Sequence, residues 1–344
     1  MSKHLLEVKN LQVSFHTYAG EVQAVRGVSF NVNKGECMAI VGESGSGKTV
    51  TSKAILGLIE KPAGEVKKDS VILYDDKNIL DFSEKQWRNY RGADAAMIFQ
   101  DPMTSLNPTM KVGRQITESI LLHNKVSKEE ARRRAIELLE KVNIPNPEDR
   151  LNQYPYEFSG GMRQRVVIAI ALACNPKLMI ADEPTTALDV TIQAQIIKLL
   201  KEIQKNNDTS VIMITHDLGV VAGMADYITV MYAGRIVEQG TVFEIFNSPQ
   251  HPYTAALLKA VPSLENENKS TLQIIPGTPP DLIAPPKGCG FANRCQYCMR
   301  VCEEMSPDYT QMSGTHKAAC WLHHPMAKKA FNFDDVRKVF EDGR

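Results

Sequence analysis

The sequence predicts an α/β fold built on a sheet buried on both faces, and three observations carry that expectation. Four short runs, CMAIV, AAMIF, LMIA and VIMIT, are apolar nearly throughout, as strands covered on both sides by helices must be. Longer segments with helical periodicity lie between them. A glycine-rich loop, GESGSGKT at Gly42–Thr49, follows the first of these runs directly and leads into a helical segment.

The elements follow in order. LEVKNLQVSF and AVRGVSFNV, near the N-terminus, alternate apolar and polar residues, the pattern of half-exposed antiparallel strands. Helices are expected over Lys48–Glu60, Lys111–Leu122, Ser127–Val142, Gly161–Cys174 and Ile192–Gln204. The span 111–142 reads as a helical insert between core strands, and its KEEARRR stretch as a solvated face. After Pro252 the character changes: LENENKS is polar and PGTPPDLIAPPKG is proline-rich, which is incompatible with regular structure. Residues 265–287 are therefore expected to form an extended arm. The predicted organisation is a domain over residues 1–262, with a helical subdomain at about 101–160, and a C-terminal extension over 263–344.

Composition narrows the function classes. Forty Lys and Arg balance forty Asp and Glu, so overall charge gives no argument for nucleic acid or for an acidic membrane surface. The longest apolar run, VVIAIALAC at Val166–Cys174, has about half the length a bilayer requires. MSKHLLEVKN has neither a secretory h-region nor an Arg-rich transit pattern, so a cytosolic location is expected. Five of the seven cysteines, Cys289, Cys295, Cys298, Cys302 and Cys320, crowd near the C-terminus. A reducing compartment argues against disulfides and marks separate chemistry there.

Gly42–Thr49 fits G-x-x-x-x-G-K-[ST] in the strand–loop–helix context that motif requires. Gly42, Gly45 and Gly47, with Glu43, Ser44 and Ser46 between them, let backbone N–H groups converge on a phosphate at a helix N-terminus. Lys48 reaches the β/γ oxygens, Thr49 offers a hydroxyl to Mg²⁺, and Val50 continues the helix beside the phosphates. ATP and Mg²⁺ are thus the expected ligands.

LMIADE carries a buried strand into Asp182 and Glu183, where ligands bind in open α/β sheets. Asp182 is placed to serve Mg²⁺, and Glu183 to polarise the attacking water as general base. His216 leaves VIMIT in the same way and is read as sensing the γ-phosphate. FSGGMRQR, Phe158–Arg165, also puts two glycines at a helix start but has no lysine in its loop. Its Ser159, Gly160 and Gly161 offer a hydroxyl, backbone N–H groups and a helix N-terminus, which suffice to cap an anion already held elsewhere.

GESGSGKT, Gln100 after AAMIF, FSGGMRQR, LMIADE, TALD and His216 occur in the order and spacing of ABC-transporter ATPases, and residues 5–260 resemble that family. The resemblance implies a P-loop ABC fold: a mixed core sheet, an antiparallel β subdomain and a helical subdomain, here followed by a cysteine-rich extension. It implies that Ser159–Gly161 bind the γ-phosphate of ATP held by a facing subunit. FSGGM departs from the usual LSGGQ at its first and last positions, with Met162 replacing glutamine. By the same resemblance Gln100 contacts Mg²⁺ or the attacking water, and Asp189 crosses the dimer seam. Phe15 stacks on adenine, with Tyr18 as the reserve.

QDPMTSLNPTM and NSPQHPYTAALLKAVP resemble the oligopeptide/dipeptide importer branch, which nickel and other small-solute systems share. That branch implies a peripheral subunit on the cytoplasmic face of the cell membrane. Its partners would be a second, related ATPase (a homodimer being the alternative in isolation), two transmembrane permease subunits and, indirectly, an extracytoplasmic peptide-binding protein. Soluble ABC ATPases of DNA repair or translation generally carry long coiled-coil inserts or two ATPase halves in one chain, and neither occurs here.

Soft thiolates in a reduced compartment select zinc or an iron–sulfur cluster. The branch resembles this tail at Cys289, Cys295, Cys302 and Cys320, spaced C-x5-C-x6-C-x17-C, with Cys298 outside the pattern. Without Cys298 no paired knuckle of the zinc type remains, which favours a 4Fe–4S cluster, with zinc and then free thiols as the alternatives. His316, His323 and His324 could serve zinc but read better as surface residues.

Overall fold

The computed structural model describes residues 4–186, 188–260 and 275–328. The first ten residues of the expected arm, 265–274, lie outside the described residues. The chain divides into two compact units, one of Met1–Leu6, Asn31–Cys37 and Leu73–Ile214, the other of Glu7–Phe30, Met38–Ile72 and Thr215–Arg344.

In the first unit the strands Ala95–Ile98, Leu178–Asp182 and Ser210–Thr215 lie side by side and parallel, with Asp182 opposite Ile214. Every residue of the latter two is buried, which explains why their sequences are uniformly apolar rather than alternating. The helices Val112–His123, Lys128–Lys141 and Gly160–Ala171 pack on one another. Ser127 starts the second of these by accepting the Glu130 N–H at 3.1 Å. The charged face of that helix holds Arg133 and Arg134 against Glu130 at 2.8 Å, and Arg133 also pairs with Glu137. The Glu130 carboxyl is held down to about 2 by its hydrogen bonds to the two arginines.

Gly160–Ala171 is buried almost all round, so it lacks the polar stripe of a surface helix. The helix Val190–Asn207 extends two residues before and three beyond its expected bounds, because Asp189 supplies an N-cap that periodicity does not reveal.

In the second unit the Cys37–Val41 strand is parallel to Tyr227–Tyr232, which pairs antiparallel with Arg235–Thr241. Lys317–Ala318 adds antiparallel to that edge, and Thr310–Gln311 lies outside it. The sheet is therefore mixed. His4–Thr17 pairs antiparallel with Gly64–Val66 and neighbours Gly20–Asn33. The helix that leaves the glycine-rich loop spans Lys48–Ile55 and stops five residues short of expectation. Gly57, at φ +62°, turns the chain there, as glycine does just beyond helix ends.

Two features downstream depart from the sequence reading. Pro252–Lys259 is a helix started by proline at its first position. Described residues between 275 and 328 pack against the rest of the unit: Phe291 joins Tyr232, Tyr253 and Val230 in one apolar cluster, with Ile275, Leu282, Cys289 and Cys295 at its margin. Residues 275–287 contain no helix or strand and are tied down by single bonds, the Gln23 N–H to the Leu282 carbonyl at 2.9 Å and Arg26 to the Pro286 carbonyl at 3.2 Å. Among the described residues no helix is long and apolar enough to cross a membrane.

Candidate active site

The glycine-rich loop is built for close backbone approach. Gly47 has φ +98°, and a Cβ there would lie 2.5 Å from the Ala24 carbonyl oxygen; at Gly42, φ +153°, it would lie 2.2 Å from that of Met231. No side chain fits at either position without moving backbone. Ser44, Gly45 and Thr49 face solvent, whereas Ser46, Gly47 and Lys48 are buried. Lys48 Nζ donates to the carbonyls of Gly42 at 2.7 Å and Glu43 at 2.8 Å and reaches Ser46 Oγ at 3.4 Å. Its ammonium thus lies inside the curl of the loop, at the first residue of the helix. That is where helix dipole and backbone N–H groups together favour an anion.

Glu43 is fixed by contacts that the sequence reading missed. Its N–H donates to Tyr253 Oη at 2.8 Å. Its carboxylate takes a two-pronged bond from Arg294, Nη1 to Oε2 at 2.7 Å and Nη2 to Oε1 at 3.1 Å. HPYT marks a resemblance in the sequence but carries no pointer to the loop, and nothing local in the sequence points from Arg294 to Glu43.

Asp182 is buried at the end of its strand and Glu183 follows it. Glu183 has φ +46°, and its N–H donates to the Ile214 carbonyl at 2.8 Å. Backbone held in this region at a non-glycine residue costs on the order of 1 kcal/mol or more and clusters at functional positions. Gln100 Nε2 donates to Glu183 Oε2 at 3.0 Å, and Thr186 Oγ1 donates to the same oxygen at 2.9 Å. Gln100 and Glu183 are therefore brought together from points 83 residues apart.

Ser159 and Gly160 are exposed at the start of Gly160–Ala171, where Ser159 Oγ accepts the Met162 N–H at 3.3 Å. Gly161 is needed for packing, since a Cβ would come within 2.7 Å of Ile192 Cγ2. Phe158 is buried beneath the Arg150 guanidinium. Asp189 Oδ1 accepts the Ile192 N–H at 3.0 Å as a helix cap. In the other unit, His216 is exposed directly after the Ser210–Thr215 strand. Phe15 is half-buried against Gly64, and Tyr18 is fully exposed in the turn beyond it.

The expectation of a 4Fe–4S cluster, or of zinc, at the C-terminal cysteines is overturned. Among the described residues no group of three or more His, Cys, Asp or Glu is gathered so as to hold a metal ion. Cys289, Cys295, Cys302 and Cys320 do line one pocket, walled also by His251, Phe291, Trp321 and Leu322. It is an apolar pocket, and burial pushes the Cys289 thiol up to about 11, Cys295 up to about 12 and Cys320 higher still. Sequence spacing counted residues and could not report their surroundings. His316 and His323 also depart from the surface reading. Both are buried, with Nε2 of His316 2.7 Å from Glu238 Oε1 and Nε2 of His323 2.7 Å from the Gln250 carbonyl.

A phosphate loop after a buried parallel strand, with an oriented acid after another, defines an ATPase of the ABC class, and residues 25–186 match the ABC transporter family. Residues 237–302 match the family described as oligopeptide/dipeptide transporter, C-terminal region. The oligopeptide transport ATP-binding protein OppD of Bacillus subtilis is 62% identical over 325 residues, covering 94% of this chain and 90% of the relative. The dipeptide transport ATP-binding protein DppD of the same organism is 56% identical over 333 residues, covering 97% and 99%. Among solved structures, the ATP-binding cassette MJ0796, in a dimeric post-hydrolysis state bound to ADP and Pi, aligns with a TM-score of 0.62 at 28% identity, over 69% of this chain and 98% of that one. The chain belongs to the family of ATP-binding, ATP-hydrolysing subunits of oligopeptide and dipeptide ABC transporters.

Proposed function

We propose that this chain binds and hydrolyses ATP to drive import of di- or oligopeptides as the nucleotide-binding subunit of an ABC transporter. The observation that carries the reading is the loop Gly42–Thr49, in which Gly42 and Gly47 leave room only for backbone and Lys48 lies within the curl. The ATP phosphates lie on N–H groups of the loop Gly42–Thr49 other than that of Glu43, which Tyr253 takes, with Lys48 on the β/γ oxygens and Val50 beside them. The adenine stacks on Phe15, or on Tyr18. Ser159, Gly160 and Gly161 close over the γ-phosphate of ATP held by a second ATPase subunit, whose corresponding segment closes over the ATP of this chain, and Asp189 lies at the seam between the subunits.

The oxygen donors that Mg²⁺ takes are present at Thr49, a first-turn hydroxyl, and, in the other unit, at the buried carboxylate of Asp182 and the amide of Gln100; when bound, the ion would neutralise phosphate charge. Glu183 accepts a proton from the attacking water as its oxygen bonds to the γ-phosphorus, and ADP departs with the electrons of the broken P–O bond. Gln100 orients that carboxylate, and His216 contacts the γ-phosphate.

The second ATPase is a related, non-identical chain, and two permease subunits and a peptide-binding protein complete the importer, with this subunit peripheral on the cytoplasmic face. Residues 263–344 form an extension specific to this branch. The match of residues 237–302 to the oligopeptide/dipeptide C-terminal region supports peptide over nickel or another small solute as cargo. The test is phosphate release by the full chain with Mg·ATP, alone and with its paired subunits. Lys48→Ala should abolish saturable ATP binding, and normal binding by that variant would refute the reading.

A further inference from the structure

The contacts on Glu43 reach outside the phosphate loop. Arg294 belongs to the short helical turn Ala292–Arg294, between Cys289 and Cys295, yet its guanidinium is directed at a loop residue 251 positions earlier. It is almost wholly buried, at 5% side-chain exposure, against 24% for Glu43. Beyond the two bonds to Glu43, its nitrogens donate to Tyr232 Oη at 3.1 Å, to the Ile275 carbonyl at 3.1 Å and to the Pro276 carbonyl at 2.8 Å. The guanidinium also lies over the Tyr232 and Phe291 rings. A planar fork held at this many points has little rotational freedom left, so it imposes one orientation on the carboxylate it grips.

Tyr253 completes the arrangement from a second element. Its ring is wholly buried against Tyr232 and Phe291, and its hydroxyl accepts the Glu43 N–H. Both the backbone and the side chain of the second residue of the phosphate loop are thus clamped by groups at positions 253 and 294. Phosphate binding by such a loop depends on N–H vectors held in register before the ligand arrives. Glu43 N–H is pulled outward by Tyr253, and Glu43 O accepts from Lys48 Nζ, so movement of residue 43 is transmitted to the lysine.

We propose that Arg294 and Tyr253 are positioning residues for ATP binding, acting through Glu43 on the curvature of the phosphate loop and on Lys48. They touch no substrate. The C-terminal segment is by this inference a structural wall of the nucleotide site, and its integrity sets ATP affinity. The inference rests on the reading of Gly42–Thr49 as an ATP loop.

The test is Mg·ATP titration of the full-length chain by calorimetry, with steady-state hydrolysis and thermal unfolding on the same samples. Arg294→Gln is expected to raise the ATP Kd and KM about tenfold, the scale of a lost charge-assisted pair, with kcat within about twofold. Tyr253→Phe removes one hydroxyl from a packed ring and should raise Kd about threefold, on the scale of one hydrogen bond. In a Glu43→Gln background the added effect of Arg294→Gln should fall below about twofold, because both act along one path. Arg294→Lys keeps the charge without the fork and should fall between wild type and Arg294→Gln. A merely structural role would lower the unfolding midpoint and leave the Kd of the folded protein unchanged, and that result overturns the proposal. So does full additivity with Glu43→Gln. Should Arg294→Gln fail to fold, an unchanged Kd in Tyr253→Phe refutes it alone. Wild-type protein that binds no ATP removes the underlying reading as well, whereas wild-type binding with unaffected variants removes only this inference.

Discussion

Gln100 Nε2 and Thr186 Oγ1 both donate to a single carboxylate oxygen, Glu183 Oε2, at 3.0 and 2.9 Å. Two donors converging on one oxygen fix the direction in which the carboxylate points. Its backbone, at φ +46°, places the side chain one step past the strand end rather than in line with the strand's alternation. This is the arrangement expected of a group that must take a proton from water at a fixed point.

Glu183→Gln preserves size and hydrogen bonding but cannot accept a proton. ATP affinity should stay within about twofold, while kcat falls on the order of 10²–10⁴-fold, the usual contribution of a general base. The variant should accumulate as an ATP-bound dimer, visible by light scattering. Undiminished phosphate release would remove Glu183 from the base role.

Gln100→Ala leaves the carboxylate with one of its two donors on Oε2. A modest effect follows: kcat lower by about tenfold, since the orientation of the base and one neutral Mg²⁺ donor are lost while the phosphate loop stays intact. Single-turnover kinetics separate this from a binding defect. A rise in Kd without loss of kcat would mean that Gln100 serves the nucleotide rather than Glu183.

At Gly47 backbone and packing impose the same requirement, with φ +98° and the Ala24 carbonyl oxygen 2.5 Å from where a Cβ would stand. Gly47→Ala should therefore lower stability by about 1–3 kcal/mol and, by opening the loop, abolish ATP binding. Chemical unfolding and nucleotide titration on the same sample give both numbers. Retention of wild-type affinity would show that the loop has slack the structure does not contain.

What was legible in the sequence was what neighbouring residues determine. Gly42–Thr49, the buried strands and the Ser159 start of a helix could be read because glycine spacing, uniform apolarity and a cap are properties of a few adjacent positions. The hold of Arg294 on Glu43 was not legible, since a salt bridge between residues 251 apart leaves no local pattern. Helix length failed for a local reason that was overlooked, Gly57 after Ile55. The cysteines failed for a different one. Their count and order were right, but whether a thiol ionises depends on the apolar walls around it, here Phe291, Trp321 and Leu322, which spacing cannot convey.

Those walls have a measurable consequence. Cys298 is exposed, Cys302 is buried, and burial raises Cys289, Cys295 and Cys320 well above the ordinary thiol value. Because the thiolate is the reacting species, iodoacetamide at pH 8 should label Cys298 first, with the other three at least about tenfold slower, given how small their thiolate fraction is. Peptide mass spectrometry over time checks the order. Equal labelling rates in folded protein would contradict the environment described.

His251 offers the clearest pH dependence. It is 1% exposed, its Nδ1 accepts the Tyr253 N–H at 3.1 Å, and its Nε2 has no hydrogen-bond partner among the described residues. Burial, reinforced by His323, pushes its pKa down to about 3, whereas in the unfolded chain an imidazole titrates near 6.5. Between those values the unfolded state binds a proton that the folded state refuses, so stability falls with falling pH. The contribution is whole above about 6.5, declines at up to about 1.4 kcal/mol per pH unit below it, and levels off near the folded value. His251→Asn keeps an acceptor for the Tyr253 N–H but removes the titration. Its stability deficit relative to wild type, measured by urea unfolding, should therefore be larger at pH 8 than at pH 5. Glu238, which accepts the His251 backbone N–H at 2.9 Å, is present in both proteins. A deficit that stays constant between the two pH values would show that His251 takes up its proton in the folded state as readily as in the unfolded one.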